Sequence, residues 1–198
     1  EAFDRAWAAL ETSTGVAPAR LTLRLYGRLE DFYRDLGAVG RLSESEVAFY
    51  RRSGAFPRPI RGDFFIPDEM EPQVVCHELS HAFVEALAGG GLRKAKWLDE
   101  GYAEWSGTLR CGDGAVPVAR GEWVPLASLA TSEQWRAGMQ RHQKALYAEV
   151  GFVVRVLVEY AGEAAVLSAL RALRTKDLET ALRTVEVDAT IDGDANAR

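Results

Sequence analysis

Only two cysteines and three histidines occur among the 198 residues, and the chain has no excess of basic charge. Two cysteines cannot build a disulfide-dense scaffold, and Cys76 and Cys111 show no CxxC spacing for redox or metal chemistry. One bridge between them is open to the chain. Cys76 taken alone reads best as a small buried apolar residue, turned about 100° from its helix neighbour His77. A net charge of −5 with a pI near 5.3 lacks the clustered Lys and Arg of a nucleic-acid groove, so no nucleic-acid partner is expected. No apolar run reaches the roughly 18 residues of a membrane span. Internal repeats and low-complexity tracts are also missing, and nothing calls for a second domain. What is present, 47% apolar and 27% charged residues, is the composition of an ordinary globular protein.

Along the chain, "AFDRAWAAL" places Phe3, Ala6, Trp7 and Leu10 at helical spacing, and "RLTLRLY" (20–26) alternates as a half-buried strand does. "RLEDFYRDL" predicts a short amphipathic helix. "SEVAFYRR" reads as a strand, followed by a proline-rich turn and a further strand around Ile60 to Ile66. Pro72 suits the first turn of a helix that Gly89, Gly90 and Gly91 close. "WLDEGYAEWSGTL" (97–109) forms a second helix, in which Gly101 is a weak helix former. Residues 110–130 are turn-rich, and 132–185 turn helical, with Tyr147, Val150, Val154, Leu157 and Val158 in one stripe. The run of four arginines at 51–61 reads as a solvated loop, and the tryptophans near the second helix, Trp97 first among them, read as core.

Within the first of those helices, "VVCHELSHAFVEAL" sets His77 and His81 one turn apart on one face, so both imidazoles can reach one ion. Glu78 is turned about 100° from His77 and can flank that ion without binding it, where a water-activating base would stand. Zinc suits such a set because it lowers the pKa of its bound water to about 7 and a nearby carboxylate can then take the proton. A third protein ligand is needed, and "WLDEGYAEW" offers Asp99, Glu100 and Glu104.

Eighteen residues separate His81 from Glu100. HELSH followed at that distance by the Glu of "WLDEG" resembles the gluzincin metallopeptidases, in which HExxH is followed by a Glu ligand on the next helix. The aminopeptidases and leukotriene hydrolases share the spacing, with Asn usually standing where this chain has Asp99. A smaller group, the peptidase MA-like domains, is resembled over about residues 60–185, through "VPLASLATSEQW" and the following "ALYAEVGFVVRVLVEYAG".

The resemblance implies one zinc ion per chain held by His77, His81 and Glu100, and a peptide or protein substrate. Glu78 would be the general base. Glu104, one turn after Glu100, would orient His77 as a carboxylate does in thermolysin-like members, and ligating histidines do need such an acceptor. A Tyr on a downstream helix would donate to the transition-state oxyanion; Tyr147 is the matching residue, with Tyr102 and His142 behind it. The aminopeptidase signature GxMEN is absent, which turns the expectation toward an endopeptidase.

The expected fold is α+β: a zincin-like single domain over 1–198, with a small mixed or antiparallel sheet and the zinc helix in 1–110 and a mainly helical portion in 111–198. The site should lie between the two portions. The strand before the zinc helix could hold extended substrate as an edge, although most such strands are scaffold. The rival reading is a zinc-containing binding module with a closed or non-catalytic site, against which stands Glu78, a residue that a purely structural site does not need. The chain begins at Glu1, and the resembling proteins are often exported or membrane-tethered in bacteria, so an exported location is expected. Oligomeric state is left open.

Overall fold

A computed structural model of the chain describes residues 2–68, 70–112, 114 and 123–185. Of the turn-rich stretch read at 110–130, residues 113 and 115–122 lie outside the described residues.

The described chain is mostly helical, with one small sheet, and α+β holds in that coarse sense. Helix α1 (Ala2–Thr14) leads to strand β1 (Thr22–Tyr26), then to helices α2 (Leu29–Ala38) and α3 (Glu44–Ser53) and strand β2 (Asp63–Pro67). The sheet is a parallel pair in the register Thr22↔Asp63 to Tyr26↔Pro67, not the mixed or antiparallel sheet expected. A parallel pair needs a crossover of about a dozen residues or more, and residues 27–62, carrying α2 and α3, supply it. Arg24 Nε donates to Asp63 Oδ1 across the pair at 2.7 Å.

Helix α3 corrects a second expectation, since "SEVAFYRR" is helical rather than extended. Ser43 and Glu46 form a reciprocal capping box: the Glu46 carboxylate accepts from Ser43 N–H at 2.7 Å, and Ser43 Oγ accepts from Glu46 N–H at 3.3 Å. Two otherwise orphaned donors are satisfied there, which starts a helix.

Helix α4 (Pro72–Ala88) begins at Pro72 as expected, and the three glycines that close it open a 3-10 turn (Gly89–Lys94). Helix α5 (Lys96–Cys111) runs back along α4. A 3-10 turn at Leu126–Leu129 then precedes the long α6 (Ser132–Ala161), α7 (Glu163–Ala172) and a last helical segment at 178–185. The helical character read for 132–185 is observed.

α5 is the central element. One apolar cluster packs it with α6, α7 and the end of α4 through Leu98, Tyr102, Leu146, Val150 and Val154, all fully buried. A second joins α1, β2 and α4, where Trp7 sits edge-on to Phe83 with ring centroids 5.0 Å apart. Trp97, Trp105 and Trp135 are core residues, whereas Trp123 is half exposed.

Two glycines let α5 approach both neighbours closely. A side chain at Gly101 would stand 2.6 Å from the Val150 carbonyl oxygen on α6, and one at Gly107 would stand 2.8 Å from the Gln73 carbonyl oxygen on α4. Such contacts admit no Cβ. Cys76 and Cys111 form a disulfide, with Cα atoms 6.2 Å apart, tying α4 to the far end of α5. Cys76 is fully buried, as expected, and the bridge that the sequence left open is formed.

Candidate metal centre

His77, His81 and Glu100 converge across the α4–α5 interface, each offering one ligand atom within 4.8 Å of the others. The Nε2 atoms of His77 and His81 each lie 3.5 Å from Glu100 Oε2. Zinc bonds of about 2.0–2.1 Å arranged tetrahedrally put ligand atoms about 3.3 Å apart, so this donor set fits a zinc ion with little adjustment.

The other imidazole nitrogens are engaged elsewhere. His81 Nδ1 is 2.7 Å from Asp99 Oδ1, and His77 Nδ1 is 3.2 Å from Glu104 Oε2. A carboxylate at Nδ1 accepts a hydrogen bond from the N–H there, which leaves Nε2 as the nitrogen that can bind a metal. α4 delivers the two histidines because they are one turn apart. α5 delivers the acids, since Asp99, Glu100 and Glu104 lie along the side of the helix that meets α4.

Basic side chains complete the cluster. Lys96 Nζ is 2.8 Å from Asp99 Oδ2 and 2.5 Å from Glu100 Oε1, while the Arg58 guanidinium is 3.5 Å from Asp99 Oδ2.

The electrostatics follow from that crowding. Burial opposes charge on His77, but Glu100 and Glu104 outweigh it and raise its pKa to about 10. His81 is raised likewise: burial works against it, and Asp99 and Glu100 prevail. Glu100 is held well below the usual carboxylate range despite its burial, by His81 and Lys96. Glu78 moves the other way, because burial pushes its carboxyl up and the two histidines only partly offset that.

Tyr147 on α6 packs its ring against that of His77, with centroids 5.8 Å apart, and is held in turn by Trp135 at 5.7 Å. Burial, reinforced by Glu100 and Glu78, raises its hydroxyl pKa far above the ordinary tyrosine value, so it keeps its proton. Tyr102, the fallback donor, is turned away: its hydroxyl donates to Glu163 Oε1 at 2.7 Å. The His142 side chain lies outside the described residues.

Asp99, one of the three acids offered as a third ligand, instead backs His81, while Lys96, Arg58 and Tyr50 carry no sequence signal that marks them as parts of the site. Lys96, Asp99 and Glu100 stand at i, i+3 and i+4, so their pairing was readable from spacing. The approach of Asp99 to His81 was not, because it depends on how α4 and α5 cross. Tyr50 on α3 is half-buried, and its pKa is raised by burial first and then by the Glu78 charge. No family model matches the chain, and no curated protein or solved structure matches it either.

Proposed function

We propose that this protein is a zinc-dependent peptidase, most consistent with an endopeptidase of the gluzincin type. One observation carries the reading. Two histidines on one helix and a glutamate on the next aim three ligand atoms at a common point, each imidazole is backed by its own carboxylate, and Glu78 is uncommitted to that point. A merely structural site has no use for such a glutamate and usually fills all four positions with Cys and His.

His77, His81 and Glu100 would hold the ion. When bound, zinc supplies Lewis-acid polarisation of a carbonyl and lowers the pKa of water to about 7. Asp99 and Glu104 keep the Nδ1 protons of His81 and His77 in place, which fixes the tautomer and the ring orientation. Glu78, its pKa raised by burial, takes the proton of the attacking water on its carboxylate and returns it to the leaving amine. Tyr147 keeps its hydroxyl proton and donates a hydrogen bond to the carbonyl oxygen as negative charge develops on it. The Cys76–Cys111 bond supports an exported location, because such bonds persist in oxidising compartments.

The test is metal content together with proteolysis of a casein-type substrate, for the wild type and Glu78→Gln. Peptidase function requires one zinc in both proteins and cleavage by the wild type alone. Equal zinc with cleavage by neither would move the protein to the binding-module reading.

A further inference from the structure

A pocket of about 480 Å³ opens on the Asp99 side of His81, between the end of α4, the Gly89–Lys94 turn and the loops that flank the two strands. Its volume lies within the range of about 300–1,000 Å³ typical of small-ligand sites. His81 lines it, so the pocket and the metal centre share a wall. The proposed reaction does not use this space.

The lining is cationic in a protein whose net charge is −5. Arg20, Arg58, Arg93 and Lys96 line it against two acids, Glu85 and Asp99. Lys96 is already committed to Asp99 and Glu100. Arg58 reaches Asp99 only at 3.5 Å, with its side chain 55% exposed. The Arg20 and Arg93 side chains are exposed and make no hydrogen bond or close ion pair among the described residues, Arg93 acting on Glu85 only at longer range. The three arginines line the pocket from separate segments: Arg20 before β1, Arg58 before β2 and Arg93 in the turn after α4. Guanidinium groups around a partly enclosed space bind carboxylates by paired, charge-assisted hydrogen bonds, and they draw anions toward the site.

We infer that this pocket receives a carboxylate of the substrate, an acidic side chain or a free C-terminus, so that the enzyme selects peptides that carry one. The inference rests on the peptidase reading and names a substrate class for it. An acid placed there gains charge-assisted bonds that the corresponding amide cannot make. Loss of a hydrogen bond to a charged group corresponds to roughly a 10- to 100-fold change in affinity.

Two peptide pairs separate the sources of the carboxylate. One pair differs by Glu or Gln at a single internal position with both C-termini amidated, and the other by a free or amidated C-terminus with no internal acid. For each, kcat/KM is measured on the zinc-loaded wild type, and Kd by fluorescence anisotropy on zinc-loaded Glu78→Gln. The acid should be favoured over its amide at least tenfold within one pair, and the paired substitution Arg20→Gln with Arg93→Gln should bring that ratio close to one. A wild-type ratio near one in both pairs, in cleavage and in binding, overturns the inference. So does a preference that survives loss of both arginines in a protein with unchanged circular dichroism. Acid-selective binding without cleavage by the wild type would keep the pocket and refute the peptidase reading.

Discussion

Helix α5 is buried on two sides, and the two contacts are made of opposite materials. Toward α6 it presents Gly101, Leu98 and Tyr102 to an apolar surface with Val150 and Val154. Toward α4 it presents Asp99, Glu100 and Glu104, which meet two histidines. Apolar contact of the first kind contributes roughly 25 cal/mol for each Å² removed from water. Burying charges carries a desolvation cost of several kcal/mol per ion that pairing only offsets, so a buried ionic contact is weak evidence for stability. The apolar packing, together with the Cys76–Cys111 cross-link, therefore holds the helix, and the ionic contact with α4 uses that rigidity to keep costly groups in position.

Breaking each side should give a different phenotype. On the proposed peptidase reading, Glu78→Gln should have the largest effect, a loss of roughly 100- to 10,000-fold in kcat. Its zinc content and melting temperature should match the wild type. Gly101→Ala attacks the apolar side instead, and overpacking against the Val150 carbonyl should cost about 3 kcal/mol in denaturant unfolding. Any lost activity should then track the lost fold.

The polar side can be divided further. Asp99→Ala and Glu104→Ala should each weaken zinc binding by roughly 10- to 100-fold in competition with a chelating dye. Asp99 should be the more severe, since it is fully buried and 2.7 Å from His81, while Glu104 is 18% exposed and 3.2 Å from His77. Equal losses would mean that the two carboxylates do not differ in how firmly they orient their histidines.

The smallest expected effect lies away from α5. Tyr26 donates to Asp35 Oδ2 at 3.1 Å, and burial, then that bond, raise its pKa to about 12. A raised tyrosine favours the folded state while protonated. Its contribution is therefore complete below the unfolded pKa near 10 and disappears as pH rises from there toward 12. Unfolding followed at pH 9 and at pH 11.5 should show a loss of stability that Tyr26→Phe reduces, with no counterpart in zinc affinity measured at neutral pH.

The parts of this arrangement that depend on local spacing were legible in the sequence. His77 and His81 announce a shared helix face, and Pro72 marks where that helix starts. The 18 residues to Glu100 are filled by the rest of α4, one tight turn and the first residues of α5, so the ligand distance carries over into space. Features that depend on packing were less legible. The run "SEVAFYRR" suggested a strand, yet the Ser43–Glu46 capping box prevailed because α3 buries no residue that could enforce a strand face. Gly101 looked like a weakness in α5 until the α6 carbonyl beside it gave the missing side chain a reason. Arg58 belonged to a run read as solvated, and only the fold brings it to Asp99.

The Cys76–Cys111 bond has a consequence for metal choice. Both sulfurs are consumed in the cross-link, so among the described residues no thiolate stands beside the histidines. The donor set is nitrogen and oxygen alone, which removes the preference for soft ions such as Cu(I) that thiolates confer. Divalent first-row metals would then be ranked by the ordinary affinity order and by how well each accepts a three-ligand site, so cobalt and nickel should enter the apoprotein as readily as the chemistry of two imidazoles and a carboxylate allows.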